Sequence, residues 1–150
     1  MRAVVQVVKN ASLTANGEPY SSIGKGFLVL LGVSTTDTQK DVEYIANKIL
    51  KLRVFEDQNG KLNLSLADIG GEVMIVSNFT LYGNTKGTNR PDFINAGRPE
   101  MSKPLYEKCV EILSSQIPTK TGVFGADMQI NMTADGPCTI IIESEENTYK

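Results

Sequence analysis

The chain has 150 residues, of which 41% are hydrophobic and 21% charged, and its formal net charge is −2. That length suits one domain over residues 1–150, with a core that buries roughly two thirds of the unfolded surface; the near-neutral charge excludes an indiscriminate polyanion binder. There is no histidine, which removes the Ser-His-Asp triad, the Cys-His pair and most zinc sites at once.

Arg2 to Lys9 reads as a valine-rich strand, and Asn16-Gly17 as a hairpin-type turn. Met1 to Gln6 lacks the layout of a signal peptide, and no stretch reaches the roughly twenty apolar residues of a membrane span. Cytoplasmic residence without membrane contact is therefore the expectation. Gly26 to Val33 is apolar on both faces, the mark of a central buried strand. Val42, Ile45, Ala46, Ile49 and Leu50 recur at helical spacing and paint one face, with Asp37 or Thr38 placed to cap the start. Short extended pieces flank a turn at Asp57-Gln58-Asn59-Gly60, and Glu72 to Phe79 is a second buried strand.

Gly83 to Pro99 is dense in Gly, Asn and Pro and reads as a long surface loop, a length that often serves function. From Lys86 to Lys108 five basic residues (Lys86, Arg90, Arg98, Lys103, Lys108) face three acidic ones (Asp92, Glu100, Glu107), an excess expected of ordinary solvated surface. A second helix carries Met101, Leu105, Cys109, Ile112 and Leu113 on one face, with Pro104 tolerable only in its first turn. Met128, Ile130 and Met132 alternate with polar residues as in a half-buried strand, Thr139 to Ile142 forms the last strand, and Glu143 to Lys150 reads as a frayed tail. Many strands and two helices without strict βαβ alternation define an α+β class, a curved or barrel-like mixed sheet with two packed helices.

Two tracts carry chemical interest. Ser77-Asn78-Phe79-Thr80-Leu81 closes a buried strand and can aim backbone N–H groups and hydroxyls at a rim, as donors to an acyl-transfer oxyanion. Its plainer reading is a strand end folded into local turns. Thr80 lacks a base to make it a nucleophile. Asp135-Gly136-Pro137 is most simply a turn between two strands, since about 5–6% of X–Pro bonds are cis. A cis bond there would turn two carbonyl oxygens the same way, so that they could hold an ammonium group while presenting no side chain. Cys109 and Cys138 make neither a disulfide framework nor metal-ligand spacing; they read as reduced thiols, and Cys138 has no visible group to stabilise a thiolate. Neither a metal nor a cofactor is expected.

Taken together, the tracts and their context resemble the D-aminoacyl-tRNA deacylase family. The resemblance starts at Met1-Arg2-Ala3-Val4-Val5-Gln6 and passes through Phe55-Glu56-Asp57, Asn63-Leu64-Ser65-Leu66 and Val76-Ser77-Asn78-Phe79-Thr80-Leu81. It continues with Asn89-Arg90-Pro91 and Phe93, then Thr121-Gly122, Phe124-Gly125-Ala126-Asp127-Met128-Gln129 and Asp135-Gly136-Pro137 with Thr139. It implies a homodimeric hydrolase of the ester that links a D-amino acid to tRNA. By that resemblance Gly136 and Pro137 are a cis pair that reaches into the partner's site and rejects L side chains, while glycine slips through. Ser77, Asn78, Phe79 and Thr80 line the reacting ester, and the tRNA ribose 2′-hydroxyl supplies what a missing base would.

The chain departs from the family's usual residues at Val7 (for Arg), Asn78 (for Gln), Ala134 (for Asn) and Cys138 (for Val). The family's Arg is associated with fixing the Gly-Pro carbonyls, a support Val7 does not offer. Two other readings stay open: relaxed editing of small L-aminoacyl esters if the Gly-Pro bond is trans, and a non-catalytic nucleic-acid-binding dimer.

Overall fold

A computed structural model describes residues 1–144. The expected tail falls outside the described residues from position 145 onward, and Glu143 itself belongs to a strand. The longest strands are β1 (Arg2–Ala15) and β8 (Met128–Glu143), paired antiparallel along almost their whole length. On its other side β1 meets β3 (Gly26–Gly32) with its first half and β2 (Glu18–Ile23) with its second, across the Asn16-Gly17 turn. β3 continues in parallel to β6 (Glu72–Ser77), and β6 in parallel to β7 (Thr119–Thr121). Ser21 Oγ of β2 donates to the Thr121 carbonyl of β7 at 2.7 Å, so the curved sheet comes close to closing on itself. A small hairpin, β4 (Phe55–Glu56) with β5 (Leu62–Leu64), brackets the Asp57–Gly60 turn.

The apolar runs of β3 and β6 have a simple cause: each strand feeds two cores. Phe27, Val29, Leu31, Val73 and Ile75 pack on one face of the sheet against the helices, while Leu28, Met74 and Val76 pack inside the curve with Val8, Leu13 and Ile23. Helix α1 (Gln39–Lys51) buries the five residues its periodicity predicts. Burial at about 1.5–3 kcal/mol for each large apolar side chain, rather than helix propensity, holds it in place. Thr38 is its N-cap, and its backbone N–H donates to Asp41 at 2.8 Å. Asp37 is used differently: its carboxylate accepts from the buried Met1 ammonium at 2.5 Å and the Ser34 N–H at 2.6 Å.

Three local expectations are corrected. A short helix, α2 (Leu66–Ile69), stands between β5 and β6; its Ser65/Asp68 capping box is too brief to show as periodicity. Helix α3 runs Pro99–Ser114, so Pro104 lies in its second turn, because Pro99 starts the helix ahead of Met101. Met128–Met132 and Thr139–Ile142 are parts of one strand, and Met132 is 48% exposed because β8 forms an edge of the described sheet.

Candidate active site

At the C-terminal ends of β3 and β6 the sheet opens into a cleft of about 820 Å³. Ser77, Asn78, Phe79 and Thr80 form one wall, and Gly97, Arg98, Pro99 and Ser102 another. Phe124 to Met128 close the far side, with Phe93 over the mouth. Strand β6 stops at Ser77 because the Asn78 N–H donates to the Leu31 carbonyl at 2.8 Å and the chain then winds into a 3-10 turn, Phe79–Tyr82. The Asn78 amide oxygen caps that turn, accepting from the Thr80 N–H at 3.2 Å and the Thr80 hydroxyl at 2.5 Å. The Thr80 proton therefore goes to an amide, which is no base, and the arrangement gives no support to a threonine nucleophile. The Phe79 N–H, first of the turn, has no hydrogen-bond partner among the described residues.

The turn is braced on several sides. Arg2 donates to the Leu81 carbonyl at 2.6 Å and to Glu143 at 2.6 Å, and its guanidinium lies 4.8 Å from the centre of the Tyr82 ring. Gly32 lies so near that a methyl group on it would stand 3.0 Å from Leu81 Cβ and 3.2 Å from the Asn78 carbonyl. Phe79 meets Phe93 edge-on, with centroids 5.0 Å apart. Behind this, Tyr106 of α3 donates to the Ile75 carbonyl at 2.8 Å. The segment after α3 returns to Val73, whose N–H donates to the Pro118 carbonyl at 3.0 Å. Helix α3 therefore runs antiparallel to β6. One helical turn ahead of Tyr106, about 5.4 Å, brings Ser102 level with Ser77, on the face of the sheet that Ile75 and Ser77 share.

Gly136 and Pro137 lie elsewhere. Sheet pairing joins Gln6 to Thr139 and Val8 to Ala134, so the four residues Asp135–Cys138 stand opposite Val7 alone. The surplus is thrown out of the sheet as a bulge, not a turn between two strands as its Gly-Pro suggested. The Gly136–Pro137 peptide bond is cis, and Gly136 has φ +118°, a conformation suited to glycine. Both residues are exposed, and neither is among the residues that line the cleft of its own chain. Val7 points into the core and offers the bulge no polar group. Its support is Gln6: the side-chain amide donates to the Cys138 carbonyl at 3.1 Å and accepts from the Thr139 hydroxyl at 2.6 Å.

Of the residues singled out from the sequence, the structure brings Ser77–Thr80 to the cleft and sets Gly136–Pro137 apart on the bulge; Gln6, Arg2 and Ser102, which adjoin one place or the other, were not singled out. Gln6 alone carried a signal, as a lone amide in the middle of the otherwise apolar run Ala3–Val8. Among the cysteines, burial pushes the Cys109 thiol up to about 12, which makes it inert at neutral pH. Cys138 is partly exposed beside the bulge. Among the described residues no three His, Cys, Asp or Glu side chains gather as metal ligands, and no helix is long and apolar enough to cross a membrane.

A nearly closed mixed sheet that opens into a histidine-free cleft, with a Gly-Pro bulge that stands away from that cleft, defines the architectural class. A solved structure titled "Structural Analysis of a probable eukaryotic D-amino acid tRNA deacylase" shares this fold, with TM-score 0.82 at 16% identity over 95% of this chain and 98% of that one. The family model for D-Tyr-tRNA(Tyr) deacylase matches residues 4–143. A D-aminoacyl-tRNA deacylase from Desulfatibacillum aliphaticivorans is 51% identical over 97% of this chain and 100% of its own length. One from Parabacteroides distasonis is 48% identical over 97% and 98%. The chain belongs to the D-aminoacyl-tRNA deacylase family, and with it to the hydrolases. A structure titled "c-Myc DNA Unwinding Element Binding Protein" is also similar, at TM-score 0.90 and 45% identity over 95% of this chain and 98% of that one.

Proposed function

We propose that residues 1–150 act as one cytoplasmic deacylase domain that hydrolyses the ester of D-aminoacyl-tRNA, releasing tRNA and the free D-amino acid. The observation that carries this is the separation of the two tracts: an outward Gly136–Pro137 bulge stands away from the cleft of its own chain, which Ser77–Thr80 line. A homodimer resolves this by setting Gly136 and Pro137 of the partner subunit into the cleft. The long edge of β8, with Met132 and Ile141 exposed, is the kind of surface that pairs with a second copy. The backbone carbonyls at Gly136 and Pro137 hold the substrate ammonium, and an L side chain meets main chain there. Glycine, with no side chain, passes the same filter, so glycyl-tRNA is also a substrate.

In the cleft the ester lies along Ser77–Thr80. The unpartnered Phe79 N–H donates to the carbonyl oxygen as negative charge develops on it, a stabilisation that costs no reorganisation. Asn78 holds Thr80 and thereby fixes the turn that presents this donor. Water adds to the carbonyl carbon, the bond to the ribose oxygen breaks, and the ribose 2′-hydroxyl relays the water's proton to the leaving oxygen. This route needs no histidine and no cofactor.

The test is a deacylation time course on matched D-aminoacyl-, L-aminoacyl- and glycyl-tRNA. Loss of the D and glycyl esters with the L ester spared is the expected result; loss of small L esters would show relaxed selection. The name of the 45%-identical DNA-unwinding-element binding protein keeps a binding-only reading in the same experiment. That reading requires no turnover, with tRNA binding that weakens steeply with salt.

A further inference from the structure

Residues 84–92 form a small finger at the cleft mouth, pinned at its base and carrying unpaired charge toward its tip. Asn84 and Asp92 exchange backbone hydrogen bonds at 2.9 and 3.0 Å, and the Asn84 amide donates to the Asp92 carboxylate at 3.1 Å. Beyond that pair the Lys86 N–H donates to the Asn84 side chain at 3.1 Å and the Arg90 N–H to Thr88 Oγ1 at 3.2 Å. Both ends of the finger run into the site. Gly83 follows the turn Phe79–Tyr82, and Asp92 precedes Phe93, which meets Phe79 edge-on. Lys86 and Arg90 are exposed, and among the described residues neither side chain makes an ion pair or a hydrogen bond. Arg2 and Arg53, by contrast, are tied down, one to Leu81 and Glu143 and the other to Asn63. Residues 84–98 hold three cations, Lys86, Arg90 and Arg98, against the single carboxylate of Asp92, in a chain of net charge −2. A weakly acidic protein has no general attraction for a polyanion, so attachment falls to a local excess such as this one.

Resting on the deacylase reading above, we infer that Lys86 and Arg90 bind phosphates of the single-stranded 3′ end of the substrate RNA where it leaves the cleft. By that reading the terminal ester lies along Ser77–Thr80, and the RNA chain that carries it comes out past the mouth with one negative charge per nucleotide. The finger stands at that exit. Its base adjoins the turn that lines the ester, and residues 85–91, doubled back on themselves, reach about 10 Å from it. Single-stranded RNA fits better than duplex, because Phe79 and Phe93, 55% and 36% exposed, offer ring faces to unstacked bases beside the cations. Arginine suits the task, since its planar fork matches phosphate oxygens, and a finger already pinned at its base has less freedom to lose on binding. Other surface cations have employment within the chain: Lys48 and Lys51 complement the carbonyl end of α1, and Lys108 pairs with Glu111.

The experiment measures kcat/KM on one D-aminoacyl ester carried in two ways: at the 3′ end of a short single-stranded RNA, and on adenosine alone, which has no phosphate. It compares the wild type with Lys86→Ala/Arg90→Ala. Each phosphate contact removed makes the plot of log kcat/KM against log salt shallower by about 0.7 for the RNA ester, which at 0.1 M salt, taken against 1 M, is about fivefold. The RNA-to-adenosine ratio therefore falls about 10- to 25-fold in the double variant, with the loss in KM. An unchanged ratio overturns the inference. So does an equal fall in Lys48→Ala/Lys51→Ala, which removes the same charge outside the cleft lining and would reduce the effect to net charge. A blunt RNA duplex that competes as well as the single strand overturns the choice of partner. Wild-type turnover of the adenosine ester tests the deacylase reading separately. Should the wild type turn over neither ester, the same salt slopes are read from binding of the unacylated single-stranded RNA to the wild type and both variants. Thermal melting completes the set: Lys86→Ala/Arg90→Ala melts with the wild type, since neither side chain makes a bond among the described residues. If the double variant melts lower, Arg90→Gln alone carries the test, with the ratio down about fivefold.

Discussion

The turn at Ser77–Tyr82 is held by a strand carbonyl, by an arginine at the start of β1, by an aromatic contact and by its own asparagine cap. The bulge at Gly136–Pro137 is held by the side chain of Gln6 and otherwise faces outward. Under the proposed function, the difference follows from what each would do. A donor aimed at a developing charge works only if it is already in place, so its surroundings must over-determine it. A selector that presents backbone to a neighbouring subunit gains its final constraint on assembly, so within one chain it needs only the right conformation and one polar anchor. The largest test of this contrast is Gly136→Ala. At φ +118° a methyl group would stand 2.8 Å from the Cys138 N–H nitrogen, and backbone must shift. Within the roughly 10²-fold penalty of a 1 Å misplacement, deacylation of D-aminoacyl-tRNA falls sharply while the melting curve stays cooperative. Normal kinetics and chirality in this variant would take the bulge out of the mechanism.

Arg2→Ala attacks the braced side. It frees the Leu81 carbonyl and uncovers the Tyr82 ring, both at the end of the turn away from Asn78. A partial displacement of the turn lowers kcat about tenfold, below the full cost of a 1 Å error, with little change in D-over-L preference, as single-turnover kinetics on both enantiomers would show. Gln6→Leu has the complementary signature. It leaves the cleft untouched and removes one donor and one acceptor beside the bulge, at a cost of about 1–2 kcal/mol in unfolding free energy. The rate on D substrate falls only a few-fold while the preference over L narrows, measured in the same assay. If Arg2→Ala relaxed chirality and Gln6→Leu slowed chemistry, the division of labour between the two tracts would be the reverse of the one drawn from their contacts.

The sequence was most legible where one periodic pattern decided the outcome. The apolar faces of α1, β3 and β6 follow from spacing alone, because a single buried face or a pair of them accounts for every residue. It was least legible where pairing with a distant strand overrides local chemistry. Gly136–Pro137 looks like a turn, and only the count of four residues against Val7 shows that it is a bulge in a continuous strand. Likewise Thr119–Thr121 is too short to announce itself and becomes a strand because β6 offers it a parallel edge. The resemblance supplied Ser77–Thr80 and Gly136–Pro137 as residues. That they sit apart in one chain was implied by the resemblance alone; residue spacing does not show it, since it depends on which way the bulge faces.

The smallest effect separates the two regions by pH. Beneath the braced turn, α3 buries two ionisable groups in their neutral forms: desolvation raises the Cys109 thiol to about 12 and pushes the Tyr106 phenol up as well. A folded value above the ordinary thiol value of 9.0 means that the unfolded chain gives up its proton first. Stability is therefore complete below pH 9 and declines as pH rises toward 12, by at most about 1.4 kcal/mol per pH unit for each such group. Urea midpoints should be level from pH 7 to 8.5 and fall above 9, and Cys109→Ala should flatten the first part of that fall, before the phenol contributes. Thiol labelling at pH 8 gives the other half of the contrast. Cys138, partly exposed beside the bulge, reacts in the folded protein, whereas buried Cys109 reacts only on unfolding. Equal labelling of both thiols in the folded protein would mean that α3 opens readily from β6, and the rigid backing on which the braced turn depends would be lost.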